Sequence, residues 1–189
     1  MSGTAQDLLQ RHRLTISDYH RMGEAGILHE DSRVELIEGE LIDMAPIGSQ
    51  HAGTVKQLSR LFNLAASQAA IVSTQDPIIL DKHSEPEPDI MLLRPRDDFY
   101  KSSHPRPDDV LLIIEVADTS LQYDRAIKIP LYARHGISEV WLVDLLYKRL
   151  ILFRSPLKDG YQEVFSPRAL DALSPRLLPG AILDLSGLF

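Results

Sequence analysis

Hydrophobic positions alternate with polar ones over short runs in most of this chain, and only two stretches show helical spacing. From Ser49 to Ala69, Val55, Leu58, Phe62, Ala65 and Ala69 recur at three- and four-residue intervals, with Lys56, Arg60 and Asn63 on other faces, which predicts a long amphipathic helix lying on a sheet. A second helix is expected over about Tyr123 to His135, closed by Gly136, with Pro130 marking either a kink or a true start near Ile129. A short helix from Asp18 to Glu24 has Ser17 as its candidate cap and Gly26 as its stop.

Strand patterns fill the remainder. Arg33 to Met44 reads as two short strands turning near Gly39, and further strands are predicted at Ile71 to Thr74, Pro77 to Leu80, Asp89 to Leu93 and Val110 to Ala117. Three more are expected at Glu139 to Asp144, Arg149 to Phe153 and Gly160 to Phe165. A Pro-rich charged loop occupies residues 94–109, and residues from Ser166 onward form a tail anchored by Leu177, Leu178, Ile182, Leu185 and Phe189. The sum is an α/β (α+β) chain: residues 1–14 a flexible lead-in, residues 15–189 one domain built on a mixed sheet flanked by helices.

Two positions break the apolar pattern. Val110-Leu-Leu-Ile-Ile-Glu-Val-Ala117 is apolar on both faces and suits a central strand, yet it carries Glu115 on the face expected for Leu111 and Ile113. Asp89 opens the preceding strand on the face of Met91 and Leu93. An isolated buried carboxylate is costly, so each must be paired, protonated or bound to a cation. Antiparallel pairing around the intervening loop would make the two cross-strand neighbours. A hard divalent cation, Mg²⁺ or Mn²⁺, would relieve their repulsion and could activate water for phosphodiester hydrolysis, with Lys128 alongside.

Each residue also has a plainer explanation. Asp89 after Pro88 suits a backbone-bonded turn; Asp124 and Lys128, four apart, suit a solvated helical ion pair; Glu35 suits an outward-facing charge. His51 suits an exposed helix end, or a donor beside the carboxylates.

Charge and composition narrow the chemistry. With no cysteine, thiolate catalysis and Cys-based zinc sites are excluded, and the histidines show no metal-ligand spacing. The sequence lacks a nucleophile elbow, a phosphate loop and a dinucleotide fingerprint, and its 6% aromatic content speaks against a glycosidase. A net charge of −7 opposes gripping nucleic acid through counterion release, but not an enzyme whose cation neutralises the reacting phosphate. No run approaches a membrane span of roughly 18 apolar residues, and a cytoplasmic protein without membrane association is expected.

Several blocks follow one another along the chain: Arg33-Val-Glu-Leu-Ile-Glu-Gly-Glu-Leu-Ile, Ser49-Gln-His51, Glu87-Pro-Asp89-Ile, Ile114-Glu-Val-Ala-Asp-Thr-Ser120, Asp124 with Lys128, Tyr132-Ala-Arg-His-Gly136, Val140-Trp-Leu-Val-Asp144 and Leu178-Pro-Gly180. Taken in this order they resemble the Uma2 group of restriction-endonuclease-like proteins, once catalogued as a domain of unknown function, within the PD-(D/E)XK nuclease superfamily. The resemblance implies a restriction endonuclease-like fold and a divalent-metal-dependent endonuclease acting on nucleic acid, DNA foremost. It implies Asp89, Glu115 and Glu35 as metal ligands and these three with Lys128 as catalytic residues; His51 and Asp124 stand beside them as candidate supporting residues. The superfamily's lysine position, two after the acidic residue, is Ala117 here, so Lys128 is its replacement from the following helix. That departure, with the negative charge, leaves a catalytically silent binding or assembly module as the alternative. A homodimer would match the two-fold symmetry of duplex DNA.

Overall fold

The computed structural model describes residues 11–189. Of the expected lead-in, residues 1–10 lie outside the described residues, whereas residues 11–14 are held in place. Leu14 N–H donates to Gly39 O at 2.9 Å, and Leu14 O pairs with His83 Nδ1 at 2.8 Å. Gly39 has φ +82°, and a Cβ there would meet Arg13 Cβ at 2.6 Å, so only glycine permits this approach.

Helix α1 (Ile16–Glu24) is capped by Thr15, not Ser17: Thr15 Oγ1 accepts the Asp18 N–H at 3.2 Å and Asp18 accepts the Thr15 N–H at 3.0 Å. Strands β1 (Val34–Ile37) and β2 (Glu40–Asp43) form an antiparallel hairpin. Its two turn residues, Glu38 and Gly39, both have positive φ, as a tight hairpin turn requires. Helix α2 (Ser49–Ala66) buries Val55, Leu58, Phe62 and Ala66, and stops three residues before the predicted end, where Ser67 turns to φ +50°.

The main sheet holds β3 (Ile71–Thr74), β4 (Ile90–Leu93), β5 (Val110–Ala117), β6 (Glu139–Asp144), β7 (Arg149–Leu157) and β8 (Gly160–Phe165), in that spatial order. Only β5 and β6 pair in parallel. The strand expected at Pro77 to Leu80 is not formed. Ile78 and Leu80 donate to Pro86 and Ser84 of the segment that folds back on them, whereas Ile79 donates to Pro105 on another segment. Prolines at 77, 86, 88 and 105 cannot donate to a continuous ladder there.

The parallel β5–β6 step needs a crossover, supplied by α3 (Leu121–Tyr123), a π-helical turn (Asp124–Lys128) and α4 (Ile129–Arg134). Ile129 N–H donates to Asp124 O, the five-residue spacing of a π turn. Pro130 removes one donor just beyond it, so the sequence signal for a kink marks a local change of helical register.

Two apolar layers enclose the sheet. On one face α2 packs with Ile90, Leu112, Ile114 and Trp141, joined by Leu183, Leu185 and Leu188 from the tail. On the other, α4 and Ile37 of β1 pack with Met91, Ile113, Val140 and Leu142. The tail's anchors differ from expectation: Leu177, Ile182 and Phe189 are exposed, and Ala181, Leu183 and Leu188 take inward places beside Leu185. Among the described residues no helix is long and apolar enough to cross a membrane.

Candidate active site

The β4–β5 register pairs Ile90 with Ile114, so one step further sets Asp89, just outside β4, opposite Glu115. Val116 N–H donates to Asp89 Oδ2 at 2.8 Å, and Asp89 N–H reaches Glu115 Oε2 at 3.4 Å. Glu115 is 2% exposed and shares its face with Ile113 and Ala117. Leu111 does not share that face. A bulge between Leu92 and Leu93 pairs Leu92 with Leu112 and Leu93 with Val110, which turns Leu111 toward the α2 layer.

The crossover carries the chain back over this carboxylate. Asp124, Lys128 and Tyr132 recur every four residues, and all three are buried rather than solvated. Lys128 Nζ lies 3.1 Å from Glu115 Oε1 and 3.3 Å from Glu35 Oε2, and donates to Glu87 O at 3.4 Å. Tyr132 OH donates to Glu115 Oε1 at 2.6 Å. Asp124 accepts from Ser120 Oγ at 2.6 Å instead of forming the expected ion pair with Lys128.

Glu35 faces inward, contrary to the outward reading of its strand. The β1–β2 hairpin is bridged to Glu85 through Leu36, and this lays Glu35 over the crossover, where it is 3% exposed. Its carboxylate accepts from Glu87 N–H at 3.1 Å and Tyr123 OH at 3.2 Å. His51, near the start of α2, is not a free helix end: its Nε2 sits 3.1 Å from the Asp89 carboxylate, while its buried Nδ1 has no hydrogen-bond partner. Glu35, Asp89, Glu115, Lys128, His51 and Asp124 thus line one cleft of about 430 Å³.

Burial pushes the Glu115 carboxyl up to about 8, with Lys128 opposing and Asp89 and Asp124 adding to the rise. Burial also raises Asp124. For Lys128, burial disfavours the ammonium, but Glu115, Glu35, Asp124 and Asp89 together hold it above the ordinary lysine value. The neighbouring carboxylates thus favour the charged form of Lys128.

Tyr132, Tyr123, Arg33 and Glu87 are not among the site residues that the sequence points to, although Arg33, Glu87 and Tyr132 fall within its family-like blocks. Tyr132 had a signal, because four-residue spacing from Lys128 puts both on one helical face. Arg33 and Glu87 reach the cleft only through the packing of the hairpin on the sheet.

The donor set suits a hard cation. Asp89 and Glu115 offer carboxylate oxygens only, and with Glu115 Oε1 held by Tyr132 and Lys128, its Oε2 is the less engaged atom. Among the described residues no three His, Cys, Asp or Glu side chains gather as a complete metal cage. An ion here would fill its shell from water, backbone or substrate phosphate, the habit of Mg²⁺.

A family model described as Uma2, "Putative restriction endonuclease", matches residues 16–186. The chain belongs to the Uma2 family. A crystal structure from Anabaena variabilis ATCC 29413, described as "a putative nuclease belonging to DUF820", has the same fold. It superposes with a TM-score of 0.70 at 18% identity, covering 93% of this Uma2 chain and 97% of the other. No curated protein matches the sequence. Family and fold together support a nuclease-type function for this Uma2 protein.

Proposed function

We propose that the protein is an endonuclease that hydrolyses phosphodiester bonds of DNA with Mg²⁺ or Mn²⁺ bound at Asp89 and Glu115. The observation that carries this reading is the convergence of Glu35, Asp89, Glu115 and Lys128 in one cleft of a chain from a family described as restriction endonucleases. When bound, the ion supplies Lewis acidity toward the phosphate and lowers the pKa of water.

The protein's own groups do the rest. Val116 N–H and His51 fix the Asp89 carboxylate, and the Tyr132 hydroxyl fixes Glu115. Lys128, whose charged form its carboxylate neighbours favour, stabilises negative charge that develops on the phosphate, and Glu35 holds that ammonium in place. Lys128 thereby does from α4's approach what the lysine missing at Ala117 would do from β5. A homodimer in the cytoplasm belongs to the same reading, with size-exclusion mass as its check.

The incomplete side-chain cage favours a second reading, a silent binding module. Purified protein is incubated with plasmid, linear duplex, single-stranded DNA and RNA in Mn²⁺, Mg²⁺ or EDTA, beside Asp89→Asn and Glu115→Gln. Metal-dependent cleavage that drops at least roughly 100-fold in both variants is expected, about 2.7 kcal/mol of transition-state stabilisation. Equal cleavage by wild type and variants refutes the site; absence of cleavage by all favours the silent module.

A further inference from the structure

A second, larger cleft of about 1190 Å³ opens beside the first, and the two share Arg33, Met44, Gln75 and Glu87 along their border. Its far wall is α1, through Tyr19, His20 and Gly23. Two border residues hold left-handed backbone, Arg33 at φ +42° and Gln75 at φ +55°. Both are tied down: Arg33 O accepts Met44 N–H at 2.8 Å, and Gln75 N–H donates to Asp89 O at 3.1 Å. Left-handed non-glycine residues persist where the surroundings over-determine them, so the mouth between the clefts is a built feature.

Resting on the nuclease reading above, we propose that this groove carries a single-stranded run of polynucleotide to the scissile bond. The substrate is then a single strand or a flap, not continuous duplex. Charge favours this choice. A duplex binder needs a basic face to displace counterions, but the chain carries −7, and the groove mixes Arg33 and His29 with Glu24 and Asp31. A single strand releases fewer counterions per phosphate than a duplex and adds stacking of its bases on rings, so it depends less on a basic face.

The rings are present and fixed. Tyr19 and His20 have centroids 5.8 Å apart. The Tyr19 hydroxyl donates to Val34 O at 2.9 Å, and His20 Nε2 lies 2.9 Å from the buried Glu85 carboxylate. Arg33, exposed at the mouth, is placed to meet a phosphate next to the reacting one. Gly23 lies on the α1 wall and faces open space: a Cβ there meets nothing within 4 Å. Its missing side chain leaves space in the groove without serving any packing contact.

The test is fluorescence anisotropy of full-length protein in EDTA with short labelled oligonucleotides: single-stranded DNA, single-stranded RNA, and the same DNA as duplex. Single strands are expected to bind at least roughly 10-fold tighter than duplex. Gly23→Glu, which fills the groove with a charge, should lose that preference at a melting temperature no lower than wild type, and Gly23→Ala should retain it. Arg33→Asn, which tolerates the left-handed backbone, should weaken single-strand binding, and Arg33→Lys should restore part of it. Duplex binding as tight as single-strand binding, no measurable binding of either, or indifference to Gly23→Glu overturns the proposal. Tight, Gly23-dependent single-strand binding without metal-dependent cleavage would overturn the nuclease reading and leave the groove assignment standing.

Discussion

Glu115 and Glu139 sit on neighbouring central strands, 2% and 0% exposed, and yet they are solved in opposite ways. Glu139 is saturated: its Oε1 accepts Trp141 Nε1 and Arg154 Nε, both at 2.7 Å, and its Oε2 accepts Arg176 N–H at 2.6 Å. That carboxylate staples β7 and the tail to the start of β6. Glu115 has both partners crowded on Oε1, and its Oε2 has only a 3.4 Å contact beside a cleft. Burial alone therefore does not mark a functional acid. What separates the two is whether the donors around the carboxylate leave an oxygen for something that is not protein.

Removing each acid should separate the two roles. Glu139→Ala strands Arg154 and the Trp141 N–H, and should cost about 3–5 kcal/mol in urea unfolding while Mn²⁺ affinity of the folded fraction stays unchanged. Loss of metal affinity without loss of stability would erase the contrast.

Glu115→Gln should do the reverse, abolishing Mn²⁺ binding in a calorimetric titration and costing less than about 1.5 kcal/mol of stability. Its pH dependence sharpens the point. Because the folded carboxyl is raised from 4.5 to about 8, chiefly by burial, the protonated form favours folding, and that stability is lost as pH rises through this window. In EDTA the melting temperature of wild type should fall more steeply across it than that of Glu115→Gln. Parallel curves would show that Glu115 is not strained when ionised.

The smallest effect is expected at Arg149, which reaches the buried Asp144 at 2.8 Å but is itself 42% exposed. Arg149→Ala should cost about 1 kcal/mol or less, since water replaces the partner and Tyr147 N–H still holds the acid. A loss comparable to that of Glu139→Ala would mean that solvent does not screen this end of the sheet.

Much of this was legible in the chain where local pattern decides. Glu115 stands out because an otherwise apolar eight-residue strand rarely carries a carboxylate near its end, and its pairing with Asp89 follows from two strands and one loop. The side of Leu111 did not follow, because alternation cannot reveal the bulge at Leu92 and Leu93. Glu35 pointed outward by alternation and lies inside, because a hairpin of two four-residue strands takes its inner face from what it is laid upon. Likewise Asp124 and Lys128 had the spacing of a surface ion pair. Only the crossover imposed by the parallel β5–β6 step turns that helical face onto the sheet.

Anomalous diffraction from crystals soaked in Mn²⁺ tests the metal assignment most directly. The expected result is a peak about 2.0–2.2 Å from one oxygen each of Asp89 and Glu115, with Lys128 still beside Glu115. A peak elsewhere on the protein with none at this pair would contradict it, and would leave the cleft a set of buried carboxylates neutralised by Lys128 alone.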